Sequence, residues 1–210
     1  MARKKEPELE AKNRERIAQI AKQLFLNNGM ENTTMSDIAK AAQMSKSTLY
    51  VYFKSKEEVR NFLSLEAMEY FHKQLLENVQ DTMNNHKRFL AICEVLVIFK
   101  QKYPLNFQLL VEEICVDEEV LHQNQVLRQI YEAGEEINQF LFDTIGTALQ
   151  AKSQVDMFLQ IFSMWGKLYG IITLADNKES YIGKATGMTK QDFLQKNFEL
   201  LYQSITWKAD

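Results

Sequence analysis

Six of the nine residues from Ser45 to Phe53 end in a hydroxyl, an ammonium or a phenol: Ser45, Lys46, Ser47, Thr48, Tyr50 and Tyr52. Such groups donate hydrogen bonds to phosphate oxygens and to base edges, and a lysine can donate to O6 and N7 of guanine. Leu49 and Phe53 stand four apart, so on a helix they share the inner face and leave Lys46, Ser47 and Tyr50 pointing outwards. The chemistry on offer is recognition of a nucleic-acid groove, without bond making. A different chemistry is suggested by Glu69-Tyr70-Phe71-His72 and Glu119-Val120-Leu121-His122, both E-x-x-H, the ligand spacing of di-iron carboxylate bundles. Glu94 and Glu113 or Glu136 could complete such a set, but the chain order does not suit that fold, and E-x-x-H is frequent in Glu-rich helices. A helical-bundle metalloenzyme therefore stands as the alternative reading. No nucleophilic triad, phosphate-cradling glycine loop or Cys/His cluster is visible, so no enzyme, cofactor or metal is expected.

The elements that position the first set can be read from caps and stripes. Thr34 caps a short helix, with Asp37 completing a capping box. Ile38, Ala39 and Ala42 form its apolar stripe, Gln43-Met44 breaks it, and Ser45 caps a second helix. Before them, a helix from about Glu10 to Asn28 carries Ile17, Ile20, Ala21, Leu24 and Phe25 at helical spacing and stops at Gly29. After them, Ser55-Lys56-Glu57-Glu58 is a second capping box that starts a helix reaching about Met83. Two short helices, the second showing lysine, hydroxyls and a phenol, present themselves as a helix-turn-helix does to a DNA groove. Charge agrees: residues 1–60 hold 12 Lys and Arg against 8 Asp and Glu, net +4, which leaves −7 for the remainder of a chain whose total is −3.

The run from Arg16 through Ala21, Leu24-Phe25, Gly29, Thr33-Thr34, Asp37-Ile38-Ala39, Ala42, Ser45, Thr48-Leu49-Tyr50, Tyr52-Phe53 and Ser55-Lys56-Glu57 resembles the DNA-binding domain of TetR-family transcriptional regulators. Gln43 departs from it, standing where the family usually has glycine in the turn; Ser47 stands where a smaller residue is common. The resemblance implies an all-α chain: residues 1–54 as tail and helix-turn-helix domain, residues 55–210 as a larger ligand-binding and dimerisation domain. It implies phosphate contacts from Thr34, Thr48, Tyr50, Tyr52 and Lys56. Ser45, Lys46 and Ser47 lie where side chains reach base edges, with Lys46 the leading base reader and a phosphate contact its alternative. Arg3, Lys4 and Lys5 in the charged tail are placed to touch the DNA backbone.

Beyond residue 84 only helices are legible: His86–Tyr103, Pro104 to about Cys115, Glu118 to about Ala151 with Gly134 as a bend, and Ser153–Ala175. After a loop holding Gly183 and Gly187, a Thr189/Asp192 box opens the last helix. Residues 153–175 are apolar nearly all round, which calls for cover on every side. The resemblance implies that this helix and the last one form a four-helix homodimer interface, with Phe158, Phe162, Trp165, Tyr169, Phe198, Leu201 and Tyr202 as candidates; closure of the chain's own core is the alternative. It also implies a small-molecule effector that changes the spacing of two heads on a palindromic double-stranded operator, as in a repressor. Met68, Phe71, Phe89, Phe99, Tyr103, Phe107 and Tyr131 could line the pocket or could be plain core. An acidic surplus in this domain leans towards a neutral or cationic ligand. A DNA-binding protein with no effector is the further alternative. Two cysteines without metal or disulfide spacing, no charged-apolar leader and no run of about 18 apolar residues lead to the expectation of a cytoplasmic protein off the membrane.

Overall fold

The computed structural model describes residues 7–113, 115–149 and 151–206, and among them the chain is all helix and turn, with no strand. Its helices are α1 (Pro7–Asn28), α2 (Met35–Ala41), α3 (Lys46–Tyr52), α4 (Lys56–Asn78), α5 (Asn85–Lys102), α6 (Pro104–Leu109), α7 (Glu118–Gln123), α8 (Gln125–Ile145), α9 (Gln154–Asn177), α10 (Glu179–Thr186) and α11 (Lys190–Thr206). The tail residues Arg3, Lys4 and Lys5 lie outside the described residues.

The chain packs as two units, residues 1–70 with 102–133 and residues 71–101 with 134–210. In the first, α1, α2 and α3 pack on one another around Ile17, Ala21, Ile38, Leu49 and Phe53, none of them exposed. Gln19 on α1 donates to both carboxylate oxygens of Glu66 on α4 at 3.1 Å. Lys22, almost wholly buried, lies 5.3 Å from the centre of the Tyr103 ring, and burial lowers its pKa against the opposing pull of Glu66. In the second unit Phe71 packs against Phe99 and Trp165, and α9 and α11 lie together. Asp176 joins three helices there, accepting from Lys100 at 2.9 Å and Lys190 at 2.6 Å.

Four boundaries differ from the sequence expectation. The helix expected over 118–151 is two, because Asn124 leaves the helical region and its Oδ1 accepts the N–H groups of Val126 and Leu127, capping a new helix. Gly134, expected as a bend, lies within α8. The loop expected around Gly183 is the helix α10, which Ile182 holds by burial and which Gly187 ends in the left-handed conformation, φ 70°. The helix expected to reach Met83 stops at Asn78, and the one expected to reach Cys115 stops at Leu109. By length and composition alone α9 is long and apolar enough to cross a membrane.

Candidate nucleic-acid interface

The helix-turn-helix is built by local hydrogen bonds. Thr34 Oγ1 accepts from the Asp37 N–H at 3.2 Å, and the Thr34 N–H donates to Asp37 Oδ2 at 2.9 Å, closing the expected capping box. Hydrogen bonds from the Thr34 hydroxyl and N–H hold the Asp37 carboxyl below its ordinary pKa. At the other end of α2 the Met44 N–H returns to Ala39 O and the Gln43 N–H to Lys40 O, a Schellman closure that needs a left-handed residue between them. Gln43 supplies it, at φ 54°, without the freedom of glycine.

Ser45 caps α3. Its Oγ accepts from the Thr48 N–H at 3.1 Å and lies 2.8 Å from both Ser47 Oγ and Thr48 Oγ1. Ser45, Lys46, Ser47, Thr48 and Tyr50 are all exposed, so the structure brings these candidates together on one open face, and Thr34 is exposed at the cap of α2. Val51, 58% exposed beside Tyr50, is an apolar member of that face that sequence reasoning passed over; its place two residues after Leu49 was the available signal.

Two candidates are already engaged. Tyr52 is half-buried and its phenol oxygen accepts from Asn13 Nδ2 at 3.1 Å. Lys56 Nζ donates to Met30 O at 2.8 Å, tying the start of α4 to the loop after α1. Arg14, absent from the sequence candidates, anchors the far end of α3: it donates to Tyr52 O at 2.6 Å, pairs with Glu58 and lies 4.4 Å over the Phe53 ring. Glu58 in turn accepts the Lys54 N–H at 2.6 Å, while its own N–H donates to Ser55 Oγ.

The remaining candidates are placed as follows. Phe107 in the first unit, and Phe71, Phe89 and Phe99 in the second, are closed into core, each 2% exposed or less. Tyr103 packs on Tyr70, Tyr131 is half-buried, and Met68 borders a cavity of about 420 Å³ lined also by Arg60, Ser64, Glu112, Glu113 and Asp117. Along α9, Ile161, Met164, Leu168, Ile172 and Ala175 are buried, whereas Val155, Phe158, Leu159, Phe162 and Leu174 are exposed, with Trp165 and Tyr169 half-buried. Phe158 and Phe162 stack at 4.4 Å. Phe198 and Leu201 are buried in the chain's own core, and Tyr202 packs on His86 and Phe89. The E-x-x-H segments do not assemble. His72 pairs instead with Glu136 at 3.2 Å, His122 is exposed on α7, and no three metal-ligating side chains cluster among the described residues.

Residues 17–61 match the profile of bacterial regulatory proteins of the tetR family. The HTH-type transcriptional regulator QacR of Staphylococcus aureus is 30% identical over 94 residues, 44% of this chain and 50% of that protein. The matched stretch thus spans about half the length of that relative. A putative tetR family transcription regulator from Shewanella sp. PV-4 is similar in fold, with a TM-score of 0.66 and 17% identity over 93% of this chain and 99% of that one. So is AibR, solved in complex with isovaleryl coenzyme A and operator DNA, with a TM-score of 0.62 and 21% identity over 90% and 98% of the two chains.

Proposed function

Through residues 17–61 this chain belongs to the tetR family of bacterial regulatory proteins, and we propose that it is a ligand-responsive transcriptional regulator that binds a palindromic operator as a homodimer. The observation that carries the reading is the open face of α3, where Lys46, Ser47, Thr48 and Tyr50 stand exposed on a helix fixed at both ends. Lys46 and Ser47 meet base edges; Thr34, Thr48 and Tyr50 meet phosphates, with Tyr52 and Lys56 beside them. One such helix spans only a few base pairs, so a two-fold pair of heads reads a palindrome.

The exposed apolar side chains of α9 support the homodimer, since a second copy offers the same face in return. A cavity of about 420 Å³ supports an effector, as does AibR, which was solved with both a coenzyme A ester and operator DNA. The effector binds the free form more tightly than the DNA-bound form, and by that difference it lifts repression in the cytoplasm. Selection of duplexes from random DNA, followed by gel-shift titration, tests the reading. Enrichment of an inverted repeat bound by two chains is expected; enrichment of no sequence overturns it.

A further inference from the structure

The outer face of α3 carries one side chain that hydrogen bonding does not account for. Counted from buried Leu49 at about 100° per residue, Ser47 and Val51 lie within about 20° of the direction opposite the core. Thr48 and Tyr50 stand about 100° from Leu49 on either flank, and Lys46 reaches out from nearer the core. The flanks thus carry a hydroxyl and a phenol, which suit the phosphates along the walls of a groove. The middle of the face, the part that meets the floor of a groove, is a serine and a valine four residues apart.

Neither burial nor helix propensity favours valine there. Val51 is 58% exposed, and a β-branched side chain is a poorer helix former than alanine or lysine. Its backbone is held firmly. Ser45 Oγ caps the start of α3 by accepting from the Thr48 N–H at 3.1 Å. At the far end Arg14 donates to Tyr52 O at 2.6 Å, and Asn13 donates to the Tyr52 phenol oxygen at 3.1 Å. Valine in a helix keeps one χ1 rotamer in about 90% of cases, so a contact through its methyl groups costs little ordering.

The base edges in the major groove of a duplex offer one apolar group, the C5-methyl of thymine. Four residues of helix separate Ser47 from Val51 by about 6 Å along the axis, against about 3.4 Å between base pairs. Val51 therefore faces a base pair one or two steps from the one that Ser47 faces. The 12 basic against 8 acidic residues among 1–60 favour a polyanion over an apolar protein surface as the occupant of this face.

We propose that Val51 is a specificity-determining residue of the operator complex, packing its methyl groups against the C5-methyl of a thymine in the major groove. This deepens the regulator reading above and rests on it.

The test takes a duplex that the full chain selects from random DNA and replaces its thymines one at a time, in both half-sites together, by deoxyuridine. Deoxyuridine differs from thymidine only in lacking the C5-methyl. Gel-shift titration is expected to find one position at which loss of the methyl weakens binding roughly four-fold per half-site, the contribution of about one buried methyl. In Val51→Ala that penalty disappears, and binding of the thymine duplex itself drops by a similar factor. Alanine is the better helix former, so the variant keeps or raises the melting temperature. Uracil duplexes that all bind as tightly as the parent overturn the valine contact, as does a penalty equally large in Val51→Ala. A selected half-site without thymine overturns it too. In each of these cases the selected sequence leaves the regulator reading standing, whereas failure to select any sequence removes that reading and the valine contact with it.

Discussion

Helices α3 and α9 each present an open face, and the two faces are opposite in kind. On α3 the inner residue Leu49 is buried while Lys46, Ser47, Thr48 and Tyr50 are exposed. On α9 Ile161, Met164, Leu168 and Ile172 are buried, yet Val155, Phe158, Leu159 and Phe162 are 43–70% exposed. The first face is polar and open, so water can satisfy the groups that its own hydroxyls do not pair. The second stays apolar in water, and a contiguous apolar patch marks a surface meant for another protein. On the proposed reading the contrast separates two jobs: α3 would gain specificity from hydrogen bonds aimed at a polyanion, and α9 would gain affinity from removing hydrocarbon from water.

The contrast breaks most sharply at α9. The double substitution Phe158→Glu with Phe162→Glu places carboxylates on the apolar face, and dimer affinity falls roughly 100-fold or more. Sedimentation is expected to find single chains of 24.6 kDa with unchanged helicity. Lys46→Ala acts on the other face: operator affinity drops by ~1–3 kcal/mol in a gel-shift titration while the assembly state is kept. An effect of Lys46→Ala on assembly, or of the α9 pair on folding, would erase the distinction.

Asp176 sharpens it by showing what holds α9 to its own chain. Burial raises this carboxyl, but hydrogen bonds from Lys190 and Lys100, with their charges, outweigh it and keep its pKa below the ordinary value. A pKa depressed by folding stabilises the native state above the unfolded value of about 3.9 and ceases to do so as pH falls through the lower folded value. Asp176→Asn is therefore expected to lower the melting temperature at neutral pH, and the gap from the parent chain closes as the solution is taken below about pH 4. The smallest effect is expected at Gln43→Gly, which relieves the left-handed strain beside α3 and stabilises the head by ~1 kcal/mol in denaturant unfolding.

Much of the head was legible because its signals are local. Thr34 and Asp37, three apart, close their box wherever the rest of the chain goes, and Thr189 with Asp192 does the same at α11. The positive φ of Gln43 follows from the turn's place in the motif. Arg14 was not legible, since its partners Tyr52 and Glu58 lie 38 and 44 residues away. Lys56 had the residue type for a phosphate contact, but only packing put its ammonium on the Met30 carbonyl. Asn124 carried a usable cap signal that the apolar periodicity on either side concealed. The cavity was the least legible, because only Met68 among its expected lining borders it; large aromatic rings at helical spacing close a core more readily than they frame a void.

The sequence by itself determined helices, caps, the basic head and the donor-rich outer residues of α3, because each depends on neighbours within a turn or two. Tertiary structure decided which apolar side chains of α9 the chain buries and which it leaves open. It also decided which aromatics close the core. Those outcomes depend on residues far apart in the chain competing for the same space and the same charge, and periodicity carries no record of that competition.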